Sequence, residues 1–463
     1  VAEAKFLSGN LFRHVTVMSL TASLGLMAVF IVDFVDMIFI SMLGKTELAA
    51  AIGYAGAILF FTTSFGIGLG IAAGALVARA LGADEPQLAR ERTTHALSYG
   101  FFFAVIFSTI VWLSLGSLVS LLGAEGETAA LAVHFLQIIV PSMPFLIVGM
   151  MGSAVLRAHG DARRAMMATI AGGVVNAVLD PILIFGFGLE LTGAAIASVA
   201  ARLVICAMAL WPLIVIYRGI AWPRASGMIR DLRPVLAIAF PAILAQVATP
   251  VGQAFVTRAM AGYGEEAIAG MAIVGRLTPV AFGVVFALSG AVGPIIGQNF
   301  GAQNMARVRQ GFNAAILFVA VVIVLVSTVL FLARGAIADL FGATGLTRDL
   351  IYLFCGPLSL AFFFPGVLFV ANAAFNNLGH PFYSTFTNWG RNAVALIPFV
   401  FIGSWLGGAQ GVLIGQSVAG MLFGTVAWVL ALRLIDQGGG PDGPKQEMFG
   451  REGRLFALFQ ARR

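Results

Sequence analysis

The sequence predicts an all-α polytopic membrane protein, with twelve transmembrane helices in two six-helix lobes related by a parallel internal repeat. Three observations predict it. The first is scarcity of charge: only 10% of the 463 residues are charged and 60% are hydrophobic, with a mean hydropathy of +0.97. A soluble domain carries charge on about a quarter of its residues, because solvated groups must cover its surface. The second is run length. The stretches 96–122 and 314–333 hold no charge, and each reaches the roughly 20 residues a helix needs to cross a bilayer core. The third is repetition. Gly74-Ala-Leu-Val-Ala-Arg-Ala-Leu-Gly82-Ala83 recurs as Gly293-Pro-Ile-Ile-Gly-Gln-Asn-Phe-Gly301-Ala302 at an offset of 219.

Spans must be helices or closed barrels, so that every backbone polar group is satisfied internally. The short alternating strands of a barrel are not seen. Apolar runs between charged breaks place helices at 16–43, 48–80, 95–122, 129–156, 164–188, 192–217, 235–260, 267–299, 311–333, 350–376, 382–404 and 409–433. Residues 1–217 form the first lobe, 218–234 a connecting loop and 235–436 the second lobe; 437–463 is a Gly/Pro-rich, then basic, tail. The offset of 219 also carries Arg90 to Arg309 and Gly160 to Gly379. An offset of 217 carries Pro181 to Pro398 and Gly186 to Gly403. Six spans per copy give both copies one membrane orientation, and such pairs can rock about a central cavity.

Charge assigns the sides. Of 27 Lys and Arg residues, 20 fall in the termini and in alternate connections, four in the others and three inside spans. Cytoplasmic loops carry the Lys/Arg excess, so both termini are expected in the cytoplasm of a plasma-membrane protein, a bacterial inner membrane by preference. The scatter of these residues at span ends argues against nucleic acid as a partner. The first ten residues lack a long apolar run, so no cleaved signal peptide is expected. Cys206 and Cys355 stand singly, with no metal-ligand or disulfide spacing.

Three acids, Asp33, Asp36 and Asp180, fall well inside spans. A carboxylate there costs about 2.5–3.5 kcal/mol on insertion scales, so it needs a reason. Asp36 lies roughly 10 Å below the outer end of the first span, Asp180 roughly 12 Å below that of the fifth, and Ser198 roughly 9 Å below the start of the sixth, at 1.5 Å per residue. Asn176 is one helical turn from Asp180 on the same face. These four are the candidate ion-coupling residues, one pocket in the outer half of the first lobe. A desolvated carboxylate exchanges a proton nearer neutral pH, and oxygens of Asp36, Asn176 and Asp180 also suit Na⁺, as they suit other hard cations. The alternative for Asn176 and Ser198 is helix–helix glue. Secondary candidates are Asp33, which shares the Asp36 face or pairs with Arg202, together with Arg202, Arg276, Gln246, Asn372 and Asn376. Arg391 is the third in-span arginine.

Phe34-Val-Asp36, Ser41-Met-Leu-Gly44, Gly74…Gly82-Ala83, Leu156-Arg-Ala-His-Gly160-Asp161, Asn176…Asp180-Pro181 and Gly193-Ala-Ala-Ile-Ala-Ser198 occur here in that order, and the second half echoes the pattern. In order, spacing and duplication the chain resembles the multidrug and toxic compound extrusion (MATE) family over nearly its whole membrane portion, and within it the DinF-like branch. The resemblance implies antiport of amphipathic, often cationic, organic compounds against H⁺, with Na⁺ as the lesser expectation. By position the family's helix-1 acid maps to Asp36, its helix-5 Asn/Asp pair to Asn176 and Asp180, and its helix-6 hydroxyl to Ser198. One departure stands out: the helix-1 proline of many members is Thr21 here, although its repeat mate Pro241 is present.

No enzyme activity and no cofactor beyond the coupling ion are expected. Gly44-Lys45-Thr46 has Phe39 where a phosphate loop needs glycine. The glycines at 66, 68, 70 and 74 read as close helix packing. The expected partners are small lipophilic cations and the lipid bilayer, with the chain a monomer. The alternatives are a lipid-linked saccharide or lipid flippase of like architecture, which would want a basic cavity, and an integral-membrane transferase, which would want clustered acids or histidines. The five histidines are dispersed.

Overall fold

The computed structural model describes residues 4–439, without the side chains of 33, 34, 37, 41, 46 and 49. The basic tail beyond Gly439 and the Asp33 side chain therefore lie outside the described residues. The described chain is helical and holds no strand. A 3-10 turn, Lys5–Leu7, precedes α1 (Leu11–Met42), α2 (Thr46–Gly82) and α3 (Pro86–Leu113). After a short helix, Leu115–Leu121, come α4 (Gly126–Ala158), α5 (Ala162–Gly186) and α6 (Glu190–Val215). The second lobe begins with α7 (Ala225–Ala261), α8 (Glu265–Gly301) and α9 (Met305–Leu340). It continues with α10, built from Gly345–Ala361 and Phe363–Asn377 bent by 43°.

The last segment, Phe382–Asp436, is helical throughout except at Gly407 and Gly408, where the backbone leaves the helical region. Gly408 has φ +57°, a conformation that favours glycine. The chain reverses there. A methyl on Gly403 would overlap the Gly411 carbonyl, and one on Gly415 would overlap the Phe399 carbonyl. Contacts that converge on 407 mark an antiparallel hairpin of α11 (382–406) and α12 (409–436). With the bent α10 counted as one span, the described residues hold twelve. The expected helices agree to within a few residues at most ends. The clearest differences are α3, which starts nine residues earlier, and α7, which starts at Ala225. More than half of the expected 218–234 loop, from Ala225 on, is therefore helical.

Prolines and polar side chains shape the helices locally. Pro141 and Pro144 lack N–H donors, and α4 tightens to a 3-10 turn at Val140–Ser142. Met143 N turns to the Val140 carbonyl, and the Ile139 carbonyl accepts from Ser142 Oγ at 2.6 Å and from Arg202 of α6 at 3.2 Å. The two lobes mirror each other: α2 packs on α4 as α8 packs on α10, and α1 crosses to α8 as α7 crosses to α2. The cores of the two lobes interleave where each lobe's first helix starts: Val235, Ile238 and Ala239 of α7 belong to the first lobe's core with Leu69, Ala72 and Leu76. Leu11, Val15 and Met18, at the start of α1, belong to the second lobe's core with Ile295, Phe312 and Val319.

Candidate coupling site and the closed end

Helix α5 carries Asn176 and Asp180 one turn apart, and α1 lies along it. The Asn176 amide nitrogen donates to Asp36 Oδ1 at 2.8 Å and to Asp180 Oδ2 at 3.0 Å. Asp180 is fully buried, Asn176 nearly so, and Asp36 half-buried. Both acids accept from the same nitrogen atom, which holds their oxygens close together. Asp180 Oδ1 is buried with no donor. Pro181 follows directly, and α5 widens into a π turn over Ile182–Gly186, where Phe187 N donates to Ile182 O at 2.9 Å. Such π turns recur at functional sites. Two ionised carboxylates are acceptors only and cannot bond one another. Placed this close and this dry, the pair requires a proton or a cation.

Three of the four primary candidates thus meet. Ser198, half-buried on α6, makes none of the triad's hydrogen bonds. Arg202 turns away to α4, donating to Ser142 Oγ at 3.1 Å as well as to Ile139 O. Arg276 is exposed on α8 and Gln246 half-buried on α7. Asn372 and Asn376 are buried in a polar seam between α10 and α11, where Ser384 Oγ donates to Asn376 Oδ1 at 3.3 Å. Asn372 Oδ1 is buried without a donor.

The arginine-rich end holds contacts that the sequence pattern did not single out. Arg79 of α2 donates to the Asn376 carbonyl at the end of α10, at 2.7 Å. Its repeat mate Gln298 of α8 donates to the Ala158 carbonyl at the end of α4, at 2.8 Å. Between them, a methyl on Gly82 would overlap the Gln298 carbonyl, and one on Gly301 the Arg79 carbonyl. The repeated Gly…Gly-Ala motif is therefore a pseudo-twofold seam closing the two lobes. At the other end Gly53 and Gly56 of α2 and Gly275 of α8 face open space. The lobes form a V, closed at the basic end and open at the end nearer the triad. The spacing of 219 could have found the Arg79/Gln298 pair, but not the carbonyls they reach.

Asp231, read as a loop acid, is instead buried on α7. It pairs with His95 of α3 at 2.7 Å, a contact between lobes.

His159, just past α4, is buried and stacked on Tyr217 at 4.6 Å, with neither ring nitrogen hydrogen-bonded. Tyr217 donates to Asp161 Oδ2 at 2.7 Å; burial and that carboxylate push the phenol up to about 12. Burial pushes the His159 imidazole down to about 4, against the pull of Asp161. Between pH 6.5 and 4 the unfolded chain takes up a proton that the folded one refuses. Stability is therefore lost as pH falls through that window, by about 3 kcal/mol in all. His159→Phe is expected to flatten the fall in thermal midpoint between pH 7 and 4.5, measured by differential scanning fluorimetry in detergent.

The MatE family model matches residues 22–182 and 241–402, most of both lobes. The chain belongs to the MATE family. A Shewanella oneidensis protein named FAD transporter is 28% identical over 438 residues, covering 93% of this chain and 96% of its own. The multidrug export protein MepA of Staphylococcus aureus is 25% identical over 438 residues, with the same coverages. Among solved structures, a Vibrio cholerae MATE transporter, VcmN in the bent form, superposes with a TM-score of 0.86 at 24% identity, covering 92% of this chain and 98% of that one. A MOP superfamily transporter from Pyrococcus furiosus gives 0.87 at 21%, covering 94% and 98%. This MATE protein is thus a multi-pass membrane transporter of the twelve-helix, two-lobed fold.

Proposed function

We propose that this transporter is a proton-coupled antiporter that exports amphipathic, often cationic, organic compounds by alternating access of its two lobes. Asp36, Asn176 and Asp180 form the coupling site. The observation that carries this reading is the pair of half-buried Asp36 and fully buried Asp180 held by one amide, with Asp180 Oδ1 lacking a donor. A proton supplies the missing donor. Na⁺ fits less well, because Asn176 turns its N–H₂ rather than its carbonyl oxygen to both acids, and a cation needs oxygens. Half-buried Asp36 offers the way in from the open cleft; fully buried Asp180 holds the charge when the lobes rock. The arginine excess puts the closed end, and both termini, on the cytoplasmic side of a bacterial plasma membrane. The structure would then be the outward-open state, and Ser198 a neighbour of the site rather than a ligand.

A second reading follows from the relative named FAD transporter: an anionic dinucleotide as substrate. Exposed Arg276 on α8, beside Gly275 facing open space, favours it. Proteoliposomes test both. A fluorescent lipophilic cation and FAD are each followed under an imposed pH gradient and, separately, an imposed Na⁺ gradient. Cation movement driven by pH alone is the expected result. Movement under Na⁺ alone overturns the ion assignment, and movement of FAD without the cation overturns the substrate class.

A further inference from the structure

The 3-10 turn Lys5–Leu7 is threaded into the seam at the closed end. Phe6 is 1% exposed. Its backbone N–H donates to Gln298 Oε1 at 2.8 Å, and its carbonyl accepts from Asn299 Nδ2 at 3.2 Å and from Arg307 at 3.1 Å. Gln298 is the same residue that reaches Ala158 of the first lobe. Lys5 Nζ donates to the Gly160 carbonyl at 3.2 Å, and a methyl on Gly160 would press on Lys5 and the Phe6 ring. The turn therefore holds the end of α4 on one side and the ends of α8 and α9 on the other. An aromatic ring fills this place.

The same chain then runs into α1. Leu11, Val15 and Met18 pack in the second lobe's core, whereas Asp36, eighteen or more residues further on, is bound to α5 of the first. Helix α1 is thus anchored in one lobe at its start and in the other near its end. No proline falls within α1, and its 32 residues run as one helix. A helix of that length without a proline resists sharp bending.

We propose that Lys5–Leu7 is a wedge that holds the arginine-rich end closed, and that unbroken α1 is the rod linking this wedge to the carboxylate site. When Asp36 changes its partners, α1 shifts as a body, the Phe6 ring leaves the seam, and the closed end opens. The link to Asp36 rests on the proposed coupling site; the wedge itself does not.

Spin labels at Gln87→Cys and Ala306→Cys test it. These repeat mates are exposed at the basic ends of the two lobes, and the native Cys206 and Cys355 are buried. Double electron–electron resonance then reads the separation of the closed end in the full chain. Phe6→Ala is expected to raise the population of the longer distance about tenfold or more, in keeping with loss of a buried phenylalanine, while Phe6→Leu restores most of the short distance. Equal distributions in wild type and Phe6→Ala overturn the wedge. A loss of short distance that Phe6→Leu fails to restore, with an unchanged thermal midpoint in both variants, overturns it too, since ring bulk would not then be what closes the seam. For the rod, Asp36→Asn is expected to shift the distribution in the parent and to lose that effect in a Thr21→Pro background. The same shift in both backgrounds overturns the rod. Failure of gradient-driven transport would leave the Phe6 result standing, so the two readings fail separately.

Discussion

Asp180→Asn is expected to cut proton-driven transport about 100-fold, the scale on which a positioned proton-transfer group acts. The amide keeps the volume of the carboxyl but neither binds nor releases a proton at neutral pH. Asp36→Asn is expected to do the same, because the two acids act as one site. The double variant should therefore be little worse than either single one, as for residues in one network. Asn176→Ala removes a donor that serves both carboxylates, and about a tenfold loss is expected from hydrogen bonds to charged groups worth about 1.5–3 kcal/mol. Initial rates in proteoliposomes under a fixed pH gradient measure all four. The coupling assignment fails if Asp36→Asn and Asp180→Asn both transport like wild type.

The second large effect is expected at the seam. In Gly82→Ala or Gly301→Ala the new methyl meets backbone of the opposite lobe, which has no side-chain freedom to yield. The lobes cannot then close at the basic end. The state closed at the basic end should be depleted and transport lost by about 100-fold, the scale of a clash of a few kcal/mol. The core of each lobe is untouched, so the thermal midpoint should hold to within a few degrees. Gly53→Ala is the control, since that glycine faces open space. Hydrogen–deuterium exchange at the basic ends of α2 and α8 reads the opening directly, and should rise in the seam variants only. Unchanged exchange and transport in Gly82→Ala would mean that the lobes do not need this approach.

The pairing of Arg79 with Gln298 shows what the repeat conveyed and what it did not. A spacing of 219 tells that two residues are equivalent. It does not tell that each reaches across to the other lobe's fourth helix, because the relation between lobes is set by packing, not by the period. Charge position alone places Arg79 with the solvated arginines for the same reason: a helix end near a membrane face is solvated in a lone spanning helix and buried in a two-lobed bundle. Asp231 is the same case. Its place near the end of a charged stretch said loop, and the helix that begins at Ala225 carried it inward to His95.

The site itself was legible because intramembrane acids are costly and few. Three fell within spans, and helical spacing put Asn176 with Asp180. Depth along two helices placed Asp36 near them. Ser198 had the right depth as well, but depth leaves the rotation of a helix open, and the rotation of α6 keeps Ser198 out of the triad's hydrogen bonds. Arg202 had three readings: to neutralise an acid such as Asp33, to line the cavity or to reach towards a helix end. Its bonds to Ser142 Oγ and the Ile139 carbonyl tie α6 to α4.

By itself the sequence determined the solvent, the number of spans, the repeat and which carboxylates must be explained, since each follows from local composition or period under the rule that lipid satisfies no polar group. Only the tertiary structure decided which end of the V is closed, that the amide of Asn176 joins two acids, and that Phe6 sits between the lobes. Those depend on helix rotation and on contacts some 150 to 300 residues apart in the chain, such as Lys5 to Gly160 and Phe6 to Gln298, and no local pattern encodes either.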